Sequence, residues 1–261
     1  MLNKPSPSSV QSEAEFLERY DPSQFERPSV TVDLVLLTLD ERRLRVLLLQ
    51  RDAHPFQFRW ALPGGFVQPT ESLDQAAARV LRDKASLERV FFEQLYTFGD
   101  PARDPRTRVI SVAYFALVEP TRLRDANIRT GGILASVSLS DAAGTDLTVS
   151  VRSASNEELP LAFDHGEIIR TAMVRLRGKL DYTPVGYQLL PPEFTLRALQ
   201  GVHETILGRK LNKDAFRRRM LASGELQPTG TLEDNVGHRP AELYRFVGPS
   251  LSRTTRLGDE P

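Results

Sequence analysis

From Pro28 onward, apolar runs of strand length alternate with polar breaks. "SVTVDLVLLTL" and "LRVLLLQR" are β-branched and leucine-rich, and the polar turn Asp40-Glu41-Arg42-Arg43 between them predicts a hairpin. Two further runs, "RVFFEQLYTFG" and "RVISVAYFALV", flank "DPARDPRT", a loop dense in Pro, Asp and Arg. In "LAFDHGEIIRTAMVRLRGKL", Ile168, Ala172, Leu176 and Leu180 recur at four-residue steps, and Asp164 and Glu167 are spaced as a capping box, so an amphipathic helix is predicted. Strands first, one helix inside and one to close give an α+β class, a mixed sheet with helices packed on it.

Four other regions read differently. Residues 1–27 are an arm, Ser/Pro-rich and mobile at first, then a short helix over Glu13 to Tyr20. In residues 121–158, "ILASVSLS" and "DLTVSVRS" about Ala142-Ala143-Gly144-Thr145 form either an extra hairpin or a weakly ordered loop. After Asp181 a helix is predicted from Thr195 to Leu207, a turn over Gly208 to Leu211, and a second helix from Asn212 to Ser223, stopped by Gly224. "LQPTG" and "AELYRFV" then read as strands flanking "TLEDNVGHRP". Helix, turn, helix and hairpin make a winged helix-turn-helix. The expected domains are 28–182 and 183–247, with a polar tail over 248–261.

Composition narrows the class. At 261 residues and 40% hydrophobic content the chain can bury a core. Lys plus Arg equal Asp plus Glu at 34 each, so only local charge clusters can indicate a polyanionic partner. There are no cysteines, which excludes disulfides and Cys-ligated metals. No apolar run approaches a membrane span, and "MLNKPSPSSVQSEAEF" lacks an apolar signal core, so a cytoplasmic protein with no membrane partner is expected.

The most informative stretch is "LPGGFVQPTESLDQAAARVLRDKASL". A glycine pair between strand and helix lets backbone approach a pyrophosphate, and carboxylates at i, i+3 and i+4 of the helix would hold a divalent cation against it. Gly65, Glu71, Arg79, Leu81 and Leu87 fall in the register G-x5-E-x7-R-E-U-x-E-E-x-G-U, U being bulky and aliphatic. The stretch therefore resembles a Nudix box. Val80, Asp83, Lys84 and Ser86 depart from its three metal-binding Glu and its Gly. Lys84 puts a fixed positive charge where a cation would sit, so no metal site, no bound magnesium and no catalytic residue are expected. The resemblance implies that Glu71 and Arg79 brace the loop and helix.

The second cluster is basic. From Arg209 to Arg219, six basic residues (Arg209, Lys210, Lys213, Arg217, Arg218, Arg219) face one acidic, Asp214, at turn and recognition-helix positions. Phe216 and Met220 mark the buried face; Arg219 lies nearest it and is expected to snorkel. His238 and Arg239 at the wing tip complete the candidate DNA contacts. With "FGDPARDPRTRVISVAYFALV", "NKDAFRRRMLASGEL" and "RPAELYRF", the chain is similar to the Nudix-related transcriptional regulators of the NrtR family over roughly 13–120 and 158–247.

That resemblance implies a Nudix-like α/β/α sandwich followed by the winged helix. It further implies a homodimeric repressor of NAD or related metabolism on double-stranded operator DNA, with ADP-ribose or NAD as effector and no required cofactor. Candidate effector contacts are Gly64, Gly65 and Phe66 by backbone, with Arg51, Arg106 and Arg108 for phosphate. Trp60 either stacks on a base or belongs to the core, and His165 either touches ligand or packs. Two other readings stand beside this one. An active hydrolase of ADP-ribose-like substrates would use Asp83 with carboxylates such as Glu88 or Glu93, and a regulator of the same family would sense a sugar.

Overall fold

The computed structural model describes residues 12–141, 147–180, 184–234, 237 and 239–248. Strands β1 (Ser29–Asp40), β2 (Arg43–Gln50), β3 (Trp60–Ala61), β4 (Gly64–Phe66), β5 (Glu93–Phe98), β6 (Val109–Leu117), β7 (Ile133–Asp141) and β8 (Leu147–Arg152) form one sheet. Its order is β5-β6-β1-β2-β7-β8, with β3 on β2 and β4 on β1. Only β1 and β6 run parallel; the other pairs are antiparallel.

β1 is buried from Val32 to Thr38 because it is central and covered on both faces, which is why it reads as an apolar run interrupted by Asp33 alone among charged residues. Its side chains alternate between two cores. Val35 and Leu37 pack with Ile168, Ala172, Met173 and Leu176 of helix α4 (His165–Lys179), whereas Val32, Leu34 and Leu36 pack with Ala76, Ala77, Val80 and Leu81 of helix α2 (Leu73–Ala85). An α/β/α sandwich results. The β1–β2 turn places Glu41 and Arg42 at φ 48° and 60°, a left-handed pair suited to a tight hairpin.

Helix termini carry their own signals. Ser72 and Gln75 form a capping box on α2, and the helix ends at Ser86 with φ 51°. That left-handed residue occupies the position where the Nudix pattern has glycine. At α4 the expected capping box is absent: Asp164 makes no side-chain cap, its carboxylate being taken by Arg103, and Glu167 pairs with Arg170. The region 121–158 contains the hairpin β7–β8 and also helix α3 (Pro120–Thr130), which was not expected. Residues 142–146 lie outside the described residues.

The short helix α1 (Glu13–Arg19) carries no buried residue, and Phe16, Leu17, Tyr20 and Phe25 are exposed. The C-terminal unit comprises a 3-10 turn (Pro184–Leu189), β9 (Phe194–Thr195), α5 (Leu196–Leu207), α6 (Lys213–Ala222), β10 (Leu226–Leu232) and β11 (Glu242–Phe246). The strand order β10-β11-β9 gives the wing. Thr195 and Asn212 cap the two helices, and Gly208 ends α5 at φ 70°. α5 has two apolar faces. Leu196 and Leu199 join Phe216, Met220 and Tyr244, while Val202 and Ile206 join the core beneath α4. The first helix of the helix-turn-helix is thus also part of the sandwich. Among the described residues, no helix is long and apolar enough to cross a membrane.

Candidate functional site

A cavity of about 270 Å³ opens where β1, the glycine pair of β4, α2, the loop 99–108 and the start of α4 converge. Gly64 is sterically required and Gly65 is closely packed. A Cβ on Gly64 would lie 2.2 Å from Asp33 Oδ1 and 2.9 Å from the Val32 carbonyl, and one on Gly65 would lie 3.3 Å from Val80 Cγ2. The chain here leaves backbone, not side chain, facing the cavity. The loop after it is braced as expected. Arg79 binds Glu71 through two hydrogen bonds of 2.9 and 2.6 Å and donates a third to the Phe66 carbonyl, and Glu71 also accepts from the Gln68 amide. The Arg79 hydrogen bonds pull the Glu71 carboxyl down to about 2.

The three helix positions that hold metal in the Nudix pattern have gone three ways. Val80 is buried in the core, Asp83 is on the outer surface paired with Arg82 at 3.0 Å, and Lys84 lines the cavity. Glu93 pairs with Lys179, and Glu88 lies in a separate cleft with Arg122, so neither reaches the cavity. Among the described residues, no three His, Asp or Glu side chains gather closely enough to hold an ion.

The opposite wall is a buried polar network. Arg103, with a side chain only 4% exposed, makes a two-pronged bridge to Asp164 at 2.8 and 2.7 Å and lies 3.6 Å from Asp33. Ser111 donates to Asp33 from β6. His165 accepts the Leu62 amide at Nδ1 (2.9 Å), which leaves the proton on Nε2, 3.7 Å from Asp33 Oδ1. Burial holds its pKa below the ordinary histidine value, against the pull of Asp33, so the ring is neutral.

Of the candidate effector contacts, Arg51, Gly64, Gly65, Phe66, Arg106 and His165 line the cavity. Arg108 does not: it donates to the Gly99 carbonyl at 2.7 Å. Trp60 stands outside too, half-buried against the core on β3, between β2 and residues 160–162. Arg106 is held by Asp104 through two hydrogen bonds of 3.0 and 2.8 Å. Arg51 is held by the Pro55 and Ala53 carbonyls rather than by a carboxylate, with its guanidinium 4.8 Å from the Phe163 ring. Asp33, Arg103, Asp104 and Asp164 were not among the candidates. The available signal was Asp33 itself, a lone charge inside an apolar strand. A second cavity of about 520 Å³ shares Arg103 and Phe163 with the first and is lined by Phe56, Tyr96 and Phe98.

On the C-terminal unit, Phe216 and Met220 are buried while Lys213, Arg217, Arg218 and Arg219 are exposed on the outer side of α6. Arg219 lies 5.7 Å from the Phe216 ring, as a snorkelling side chain should. Arg209 and Lys210 occupy the turn, where Lys210 is 2.8 Å from Glu204. Arg239 is exposed by the wing, and His238 lies outside the described residues. The two regions are tied together by Arg177 of α4, which donates to the Ile206 carbonyl of α5 (2.9 Å) and the Leu139 carbonyl of β7 (2.8 Å).

Comparison with known proteins gives consistent matches to both regions. Residues 27–152 match the NUDIX domain family, and residues 186–246 match the family described as the NrtR DNA-binding winged helix domain. The chain is 38% identical over 238 residues to the ADPR responsive transcriptional repressor NtrR of Acinetobacter baylyi, covering 90% of this chain and 89% of that protein. The crystal structure of Shewanella oneidensis NrtR complexed with a 27mer DNA superposes with a TM-score of 0.67 at 35% identity, covering 84% of this chain and 93% of that one. The ADP-ribose pyrophosphatase of Methanocaldococcus jannaschii is 32% identical over 146 residues, 56% of this chain and 73% of that enzyme.

Proposed function

We propose, since the chain belongs to the NrtR family of Nudix-related transcriptional regulators, that its sandwich binds an ADP-ribose-type nucleotide without cleaving it and that this binding sets the affinity of the winged helix for operator DNA. One observation carries the reading: an ammonium group, Lys84, lines the cavity where a Nudix hydrolase would present carboxylates to magnesium, while Val80 is absorbed into the core. A pyrophosphate entering between the glycine pair and the Arg51, Arg103 and Arg106 side chains meets cations supplied by the protein, so no metal is needed to neutralise it. The response of the Acinetobacter relative to ADP-ribose supports ADP-ribose over NAD or a sugar. The DNA bound to the Shewanella structure supports α6 as the reading helix, with Lys213, Arg217 and Arg218 toward the duplex and Arg209, Lys210 and Arg239 on its backbone. The protein acts in the cytoplasm as a homodimer, matching the two-fold symmetry of a palindromic operator.

The similarity to a pyrophosphatase favours a second reading, a surviving hydrolase. The carboxylates it would draw on, Asp83, Glu88 and Glu93, lie off the cavity, and the two that line it, Asp33 and Asp104, are paired with Arg103 and Arg106. The regulator is tested by titrating the purified protein onto duplex DNA from the promoter region beside its own gene and onto random duplex, with and without ADP-ribose. The expected result is salt-sensitive preference for the promoter duplex and a change of affinity on adding ADP-ribose. Equal affinity for both duplexes, unmoved by ADP-ribose, would overturn it.

A further inference from the structure

The β1–β2 hairpin belongs to the effector-binding sandwich, yet its tip lies against the helix-turn-helix. The Thr205 hydroxyl of α5, which donates to the Gly201 carbonyl at 2.7 Å, lies 3.3 Å from the Arg42 carbonyl, and the Arg42 guanidinium is 3.9 Å from the Glu204 carboxylate. A cleft between the two units is lined by Arg42, Glu204, Thr205, Gly208, Arg209 and Lys210. Arg42 therefore stands beside the turn that leads into α6, next to two basic residues that the DNA-binding reading already uses.

The charge balance of this cleft is positive. Three cations meet one carboxylate, and that carboxylate is occupied: Glu204 takes Lys210 at 2.8 Å, the Leu211 amide at 3.1 Å and the Gln200 amide at 2.9 Å, and Lys210 first among them holds it near 2. Arg42, at 3.9 Å, is the more distant partner, and its side chain is 64% exposed. An arginine placed only to bind Glu204 would be closer and more covered than this. The turn geometry also fits a presenting role. Arg42 sits at φ 60° in a tight hairpin, a conformation that Asn or Gly takes more readily, so the arginine is there at some backbone cost.

We infer that the effector-binding sandwich itself touches operator DNA, with Arg42 at the hairpin tip contacting a backbone phosphate beside those held by Arg209 and Lys210. The contact is to phosphate, so it adds affinity without sequence preference. It also gives the DNA two footholds on one protomer, one on each side of the junction at α5. A ligand-driven shift between the two units would then change how well both fit one duplex.

The inference rests on the DNA-binding reading, and the test separates the two. Full-length wild type, Arg42→Asn and Arg42→Lys are titrated onto promoter and random duplexes at several salt concentrations, and ADP-ribose binding to each is measured by calorimetry. Asn is chosen because it keeps the left-handed turn. Expected for Arg42→Asn is a loss of about 3- to 10-fold in affinity on both duplexes and a log–log salt slope shallower by about 0.9, one phosphate's worth of released counterions. Arg42→Lys restores the slope, and ADP-ribose affinity is the same in all three. An unchanged slope in Arg42→Asn overturns the inference while leaving the regulator intact. A fall in affinity with the slope unchanged, or with ADP-ribose binding altered, makes Arg42 an interdomain brace and overturns it too. Failure of the wild type to bind either duplex defeats both readings.

Discussion

The two cation-rich regions hold their charges in opposite ways. Around the cavity, Arg103 is bridged to Asp164, Arg106 to Asp104, and Arg51 to two backbone carbonyls, so each guanidinium has a fixed direction before any ligand arrives. On α6, Lys213, Arg217 and Arg218 extend from an exposed helix face. Fixed, half-buried arginines suit one small anion of defined geometry, because little ordering entropy remains to be lost on binding. Exposed cations suit a polyanion that offers a phosphate wherever the side chain reaches. The same residue type serves a pocket in one place and a track in the other.

The largest expected effect comes from breaking the fixed side. Arg103→Ala leaves Asp33 and Asp164 facing each other in a buried wall, and a buried pair deprived of one partner costs about 3–5 kcal/mol. Urea unfolding should show that loss, whereas Arg217→Ala should leave unfolding within experimental scatter. Next comes Arg51→Ala, which removes a cation without stranding a carboxylate; ADP-ribose affinity should fall roughly 10- to 100-fold by calorimetry, the value of a hydrogen bond to a charged group, with the fold intact. On the exposed side, the double substitution Arg217→Ala, Arg218→Ala should weaken binding to the promoter duplex while leaving ADP-ribose affinity alone.

The brace between loop and helix makes a smaller, pH-dependent contribution. Glu71 has its folded value lowered from 4.5 to about 2, so its stabilisation is complete above the unfolded value and is lost as pH falls from about 4.5 toward 2. Glu71→Gln should lower stability by a constant amount above about pH 6, where the brace is fully formed, and flatten the acid limb between about 4.5 and 2. A curve of unaltered shape would mean that the brace carries no stability. The smallest effect is expected at Arg108, turned to the Gly99 carbonyl: Arg108→Ala should not change ADP-ribose affinity.

The same contrast explains what could be read from the sequence. Exposed features and regular elements are local. The Arg-rich stretch, the β1–β2 turn, the glycine pair and the four-residue steps of α4 are each spelled by neighbours in the chain. The cavity's far wall is not. Arg103 and Asp164 are 61 residues apart and Asp33 is 78 from Ser111, so nothing local marks their meeting. The capping box at Asp164 failed for that reason: a distant guanidinium outcompeted the nearby amide for the carboxylate. Helix α3 went unread because only Leu123 and Ala126 are buried, too few for a periodic signal, although Glu119, Pro120 and Gly131 mark its ends. Arg106 and Arg108 are two residues apart on one loop and could not be told apart by sequence; Asp104 captures one and Gly99 the other.

Under the proposed function, Lys84 and the arginines lining this pocket take the place of a metal. Calorimetric titration of ADP-ribose in EDTA and again in excess magnesium, with the mixture assayed afterwards for AMP, tests it most directly. The account predicts the same affinity in both and intact ADP-ribose at the end. Binding that appears only with magnesium, or release of AMP at ordinary enzyme rates, would contradict it.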